Sequence, residues 1–378
     1  MEAEEMNCTQ FGEQYPPIGS PEAANITVLW LINAAVAAYR PIHYYLFVLI
    51  IGFGIFANFC AVLVLMKKEM RSVGVNVTMM LIALFDFLCG IAGVAQLFLR
   101  QTSDVYNSYF TAYAQLTVDY LAVAFHAASL YAAVGMAFCR VMTLSVSDEY
   151  SERWQSPKYA FRVSSLLFTP VFAVALMIIP LNIVIESEED GIYVDASPFS
   201  MKDHCFYIKF VLIASGTLFK ALPCIIMLSL SLILLQRIRK GLQELNGAMN
   251  SQRDRNEKIA RSTHMIQIVI VVFLISEAPQ AAFSIVGGLF VNDYHKFTGL
   301  QSSLSLVFDF SYYQNLSIFM NVLAFINTTT SFLIYSSLSS TFRKMFLQIF
   351  LPESVIEKIY TKTSVIEVAP SANASRTI

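Results

Sequence analysis

Six ionisable side chains fall inside or at the edges of long apolar stretches of this chain: Asp86, Asp119, His126, Arg140, Lys220 and Glu277. A charged group at bilayer depth costs about 2.5 to 3.5 kcal/mol on insertion scales, so each of the six needs a partner or a task. Lys220 stands three residues before Pro223, and Glu277 stands two before Pro279. Each proline removes a backbone donor and permits a bend where a charge must be housed. The two charges lie at comparable depth, so an interhelical ion pair would spare each from standing alone in low dielectric. In the alternative arrangement Lys220 extends into a water-filled cavity and Glu277 is protonated. Asp86 shares its level with Asn58, Asn327, Thr328 and Ser331. Such a set of oxygens could hold Na⁺, or a proton with a water chain, or form a hydrogen-bonded network with no ion.

The elements that carry these groups follow from composition. Of 378 residues 56% are apolar and only 14% charged, and the mean hydropathy is +0.58. That balance describes a chain embedded in lipid. Stretches of the roughly 20 residues needed to cross a hydrocarbon core occur at 43–66, 74–99, 110–139, 159–185, 206–236, 263–290 and 313–337. The fold class expected is therefore an all-α membrane protein, a bundle of seven helices. The first 40 residues lack the basic start, short apolar core and small-residue cleavage site of a removable signal peptide, so the first span is expected to insert the chain. A formal charge of −2 leaves no basic surplus for phosphate backbones and argues against nucleic-acid partners. The six cysteines show no metal-ligand spacing; only Cys8 and Cys205 lie where an oxidising compartment could reach them.

Basic residues set the direction of insertion, because short Lys/Arg-rich loops stay cytoplasmic. Lys67, Lys68 and Arg71 fill the first connection, Arg153, Lys158 and Arg162 surround the third, and seven basic residues between Arg237 and Arg261 crowd the fifth. The amino terminus is thus expected outside the plasma membrane and the carboxyl terminus inside. Sequons at Asn7 and Asn25 fall on the outer side and are the expected glycosylation sites. Those at Asn76 and Asn327 lie in or beside spans and are discounted. Ser339 to Phe350 alternates basic and bulky apolar residues, as an amphipathic helix lying on the inner leaflet would.

Asn58, the run Leu81 to Asp86, Cys139-Arg140-Val141, Pro180, Pro223, Pro279 and the run Asn327 to Tyr335 stand in order over residues 43 to 350. Together they resemble the rhodopsin-like G-protein-coupled receptors. Lys220-Ala-Leu-Pro-Cys224, Glu277-Ala-Pro-Gln280 and Phe332 in place of the usual proline look like one branch. That branch comprises the invertebrate myosuppressin and FMRFamide-like neuropeptide receptors with their nematode serpentine relatives. The resemblance implies an extracellular segment over 1–42, a receptor domain over 43–338, an eighth helix over 339–350 and a cytoplasmic tail over 351–378. It implies a heterotrimeric G protein as partner, and arrestin, receptor kinases and membrane lipids as further ones. By position it assigns Asp86, Ser129, Asn327 and Thr328 to an allosteric sodium site, the one cofactor expected. Arg140 becomes the contact to the G protein, Tyr335 the tyrosine that turns inward on activation, and Pro279 the bend of span six.

Departures from the family pattern are as informative. Cys139 replaces the acid that restrains the family's arginine, Ile259 stands where an ionic-lock acid is often found, and Ser231 replaces the tyrosine of span five. Weak restraint and elevated basal signalling follow. Gln115 occupies the position of the usual cysteine in span three, so Cys205 is left to bridge with Cys8 or to stay a free thiol.

The second outer loop is acidic, with Glu186, Glu188, Glu189, Asp190, Asp195 and Asp203. It would gather cationic ligands, or it is only a solvated loop. Below it, aromatic residues interleave with acids: Tyr113, Asp119 and Tyr120 in span three, then Asp309, Phe310 and Tyr313 entering span seven. An arginine and a phenylalanine amide need a carboxylate plus an aromatic slot, which makes Asp119 and Asp309 the candidate arginine anchors. His126 would floor the pocket or simply pack, and Lys220, Glu277 and Gln280 complete the candidate ligand set. An amine receptor is disfavoured because Ala122 stands eighteen residues before Arg140, and a retinal pigment because span seven has no lysine. The expected function is a receptor for an amidated FMRFamide-like or myosuppressin-like peptide. A chemosensory receptor for a small molecule and, further off, a transporter are the alternatives. No hydrolase, metalloprotease or phosphate-loop motif is present, so no enzymatic activity is expected.

Overall fold

Alanine, serine and glycine dominate the inner face of the third helix, where Ala124, Ala127, Ala128, Ser129, Ala132 and Gly135 are buried. Small side chains let neighbouring helices approach closely within lipid, and this helix accordingly forms the centre of the bundle. A Cβ on Gly135 would stand 2.9 Å from Ser164 Oγ, so the fourth span packs directly on its backbone.

The computed structural model describes residues 27–102, 108–145, 148–187, 191–244, 250–290 and 310–352. In chain order the helices are α1 (Thr27–Leu65), α2 (Gly74–Thr102), α3 (Tyr109–Ser145), α4 (Asp148–Gln155) and α5 (Pro157–Ala175), which continues as a 3₁₀ segment Leu176–Leu181. An antiparallel hairpin follows, β1 (Asn182–Ser187) and β2 (Gly191–Ala196), in a register that pairs Asn182 with Ala196 and Ser187 with Gly191. Then come α6 (Pro198–Ser215), a π-helical turn Gly216–Ala221, α7 (Leu222–Glu244), α8 (Asn250–Phe290), α9 (Phe310–Leu338) and α10 (Ser340–Phe350). Six spans, at 41–65, 74–99, 109–145, 157–181, 205–237 and 270–289, are long and apolar enough to cross a bilayer. α9, 29 residues long, completes a bundle of seven.

Helix starts obey local chemistry. Ser156, Ser197 and Ser339 cap α5, α6 and α10 by accepting backbone N–H bonds, and a proline fills the first helical position in α5 and α6.

Several element boundaries differ from the sequence reading, α3, α7 and α8 each running beyond the expected spans. α1 begins at Thr27, inside the segment 1–42 expected as a tail, because half of its residues before Pro41 are Ala, Leu or Arg and the proline is tolerated within the helix. The fourth span ends near Leu181 rather than 185: Pro180 closes the 3₁₀ segment, and the β-branched run Ile183, Val184, Ile185 extends into β1. The acidic loop thus opens with a hairpin, which the loop reading lacked.

Three tyrosine hydroxyls repair the backbone where helical register changes. Leu176 N–H turns to Ala173 and Val174 as α5 becomes 3₁₀, and Tyr120 donates to the released Phe172 carbonyl at 2.9 Å. In 3₁₀ register Pro180 offers no N–H to Met177, whose carbonyl accepts from Tyr207 at 2.8 Å. In π register Leu222 N–H bonds Thr217, Pro223 has nothing for Leu218, and Tyr131 donates to that carbonyl at 2.7 Å. Lipid supplies no water to do this work.

Around α3 the main core gathers Leu130 and Met136 with Met227 of α7, Ile270 and Phe273 of α8, Tyr335 of α9 and Phe342 of α10. Phe332 packs on Phe342 and Phe346 and fixes α10 against α9.

Candidate functional site

Glu277, on α8 one turn before Gln280, is 0% exposed and serves as the hub of a polar cluster within the bundle. Its carboxylate oxygens each lie 3.3 Å from His126 Nε2 of α3. Asn327 of α9 donates its Nδ2 to Oε1 at 3.1 Å. Lys220, on the π turn, places its Nζ 3.8 Å from Oε2 and donates to Gln280 Oε1. Gln280 in turn donates its Nε2 to the Ser276 carbonyl at 2.9 Å. The wider π turn rotates Lys220 inward, and Pro279 leaves α8 intact on this face. Four helical elements thereby bring one anion and one cation together, as a buried pair requires.

A cavity of about 390 Å³ opens beside this cluster, with His126, Lys220 and Gln280 in its lining. Phe47, Phe219 and Phe325 give it aromatic walls. Ala122 also lines it, which leaves room and no carboxylate where an amine receptor would carry one. Gln96 of α2 lines it too and donates to Asp119 Oδ1 at 2.7 Å. A volume in the roughly 300–1,000 Å³ range is that of a small-ligand pocket and admits one or two residues of a peptide, not a folded partner. At the hairpin end, Tyr109 donates to Glu186 Oε2 of β1 at 2.6 Å, tying α3 to the hairpin.

The expected ligand residues divide accordingly. His126, Lys220 and Gln280 meet at the cavity, with Glu277 behind them and Asp119 reached through Gln96. Tyr113 is 58% exposed on α3. Tyr120 faces α5, where its hydroxyl is spent on Phe172 and its ring packs with Ala124 and Val171. It serves the scaffold here and is not among the residues that line the cavity. Asp309 and the side chains of Phe310 and Tyr313 lie outside the described residues, as do Asn7, Asn25 and Cys8. Cys205 is disulfide-bonded, whereas Cys60, Cys89, Cys139 and Cys224 are free thiols.

Of the four residues assigned to a sodium site, two lie together: Asp86 and Ser129 are both buried and within electrostatic reach of one another. Asn327 turns to Glu277, and the Thr328 hydroxyl donates to Phe325 in its own helix at 2.8 Å. Asn58 Nδ2 donates to the Thr328 carbonyl at 2.8 Å, while its Oδ1 is buried with no partner. A carboxylate, a hydroxyl and a spare amide oxygen are a donor set compatible with a hard cation. Among the described residues no three His, Cys, Asp or Glu side chains converge as a metal site.

At the opposite end Arg140 and Tyr335 lie within electrostatic reach of one another. Tyr335 donates to Asn76 Oδ1 of α2 at 2.6 Å, and Asn76 donates to the Met70 carbonyl at 2.7 Å. The discounted sequon is thus a structural link. Asn76 and Gln96 were both missed; a polar amide in an apolar span was the available signal. Trp154 of α4 sits edge-on to Phe138 and Tyr159, fixing the turn between α3 and α5.

The sequence model of the serpentine type 7TM GPCR chemoreceptor Srw family matches residues 44–352. The chain belongs to that family. The match runs from within the first span to the end of α10 and takes in both polar constellations. The G-protein coupled receptor dmsr-1 of Caenorhabditis elegans is 23% identical over 372 residues, covering 84% of this chain and 69% of that receptor. This Srw-family chain is accordingly a multi-pass G-protein-coupled receptor and not an enzyme. It answers an extracellular ligand and couples to heterotrimeric G proteins, and the serpentine resemblance drawn from its motifs is the one the match establishes.

Proposed function

We propose that this Srw-family receptor detects an amidated neuropeptide of the FMRFamide-like or myosuppressin-like class at the plasma membrane, with its amino terminus outside. The observation that carries the reading is the joint character of the cavity. Its floor offers Lys220 and Gln280, its walls are aromatic, and a carboxylate, Asp119, stands next to its lining residue Gln96. A peptide end carrying a cationic and an aromatic residue uses all three features, the cation on Asp119 and the ring between Phe219 and Phe325. Ligand binding at α3, α8 and α9 would shift a pre-existing equilibrium toward the signalling state.

A second reading, a small-molecule chemosensory receptor, is favoured by the cavity's modest 390 Å³ and by the description of the family. A screen of amidated peptides against the receptor co-expressed with a G protein, read by second messenger, separates the two. Responses confined to small molecules overturn the peptide reading. Asp86 with Ser129 is the proposed seat of an allosteric Na⁺. Agonist affinity should depend on Na⁺ in the wild type and lose that dependence in Asp86→Asn.

A further inference from the structure

The floor of the cavity carries a hydrogen-bonding pattern whose polarity can be read from its partners. Glu277 is fully buried behind the floor and balances Lys220, so this pair is electrically neutral. Of the three Lys220 ammonium hydrogens, one is taken by Gln280 Oε1 and one is directed toward Glu277 Oε2. One donor remains for an occupant of the cavity. His126 faces the carboxylate through Nε2; in the neutral tautomer that carries its proton on Nε2, the imidazole leaves Nδ1 as an acceptor. That Nδ1 is buried and has no hydrogen-bond partner. Lys220 and His126 both line the cavity. One donor and one acceptor on a neutral floor complement a primary carboxamide, whose carbonyl oxygen accepts and whose NH₂ donates. A carboxylate fits poorly: it has no hydrogen for His126 Nδ1, and Lys220 is already matched by Glu277.

We propose that Lys220, Gln280 and His126 form a subsite for the terminal carboxamide of the ligand, with Glu277 acting as the counter-charge that excludes a free carboxylate. The carboxamide oxygen accepts from Lys220 Nζ, the carboxamide nitrogen donates to His126 Nδ1 after a small ring adjustment, and Gln280 holds Lys220 in place. The inference rests on the peptide reading above and sharpens it. Amidation is recognised at the cavity floor and not through the peptide's outer residues.

The test uses the full-length receptor and the tetrapeptide Phe-Met-Arg-Phe as its amide, its methyl ester and its free acid. In the wild type the amide should be at least tenfold more potent than the acid. The ester, neutral but without N–H donors, should fall between them. Glu277→Gln leaves Lys220 without a counter-charge, so the amide-to-acid potency ratio should fall at least tenfold. Lys220→Met removes the donor and leaves the acid, so amide potency should drop while discrimination against the free acid persists or grows. Staining for surface receptor reports whether each variant folds. If one does not, the wild-type series still decides, because equal potency of amide and acid overturns the subsite. A ratio unchanged in a surface-expressed Glu277→Gln receptor overturns it as well. A wild type that answers none of the three peptides overturns the peptide reading itself.

Discussion

Tyr335 donates its hydroxyl to Oδ1 of Asn76 at 2.6 Å, joining α9 to the first turn of α2. Asn76 passes the link on to Met70 in the turn after α1, and Arg140 lies within electrostatic reach of Tyr335. The acid that commonly restrains this arginine is absent, with Cys139 in its place. The Tyr335 to Asn76 bond holds the same end of the bundle by another route. A neutral hydrogen bond contributes about 0.5 to 1.5 kcal/mol. Asn76→Ala should therefore raise ligand-independent nucleotide exchange about two- to tenfold. Unchanged basal exchange at equal surface density would remove this bond from the account of restraint.

Removing the Arg140 guanidinium should abolish ligand-stimulated exchange while leaving peptide affinity within about twofold, because Arg140 lies at the far end of the bundle from the cavity floor. Radioligand competition alongside nucleotide exchange on Arg140→Ala separates the two effects. A parallel loss of affinity would place Arg140 in the ligand-binding fold.

Glu277→Ala should be severe. It strips an acceptor from Lys220, His126 and Asn327 at once, and breaking a buried ion pair from one side costs about 3 to 5 kcal/mol. Surface expression should fall sharply. Adding Lys220→Met to Glu277→Gln removes both charges and keeps an amide oxygen for Asn327, so expression should recover. If the double variant expresses no better than Glu277→Ala, the pair is not what stabilises this level of the bundle.

Tyr131→Phe and Tyr207→Phe each delete one hydroxyl and strand one main-chain carbonyl, at Leu218 and Met177. An acceptor left unsatisfied away from water costs about 1 to 3 kcal/mol. Each variant should melt several degrees below the wild type in detergent, with ligand affinity unaltered. Melting curves that coincide would mean these carbonyls find other donors.

Much of the architecture was legible because lipid imposes a simple rule. Spans must be long and apolar, so the limits of α2 and the positions of Lys220 and Glu277 could be placed from hydropathy alone. The approach of those two charges followed from the cost of leaving either isolated. What escaped was determined by register rather than by composition. Tyr120 read as a ligand residue because an aromatic beside Asp119 fits a pocket as well as a helix junction. Only the change from α to 3₁₀ geometry near Leu176, invisible in the residue pattern, assigns its hydroxyl to Phe172. Asn327 read as a cation ligand because amide oxygens suit cations. Its nitrogen answers Glu277, since an anion buried in α8 attracts the donor end of an amide nearby. The hairpin was missed because Ile183 to Ile185 satisfies a hydropathy window whether coiled or extended.

The length of α8 has mechanical meaning. Pro279 sits inside a helix that runs unbroken from Asn250 to Phe290, and the 29 residues between Asn250 and Pro279 correspond to roughly 44 Å at the usual rise. A rotation of about 10° at that proline would sweep the distant tip by about 8 Å, so a sub-ångström rearrangement around Glu277 would be amplified into a displacement large enough to admit another protein. Such a helix would act as a long crank whose pivot is set beside a buried charge.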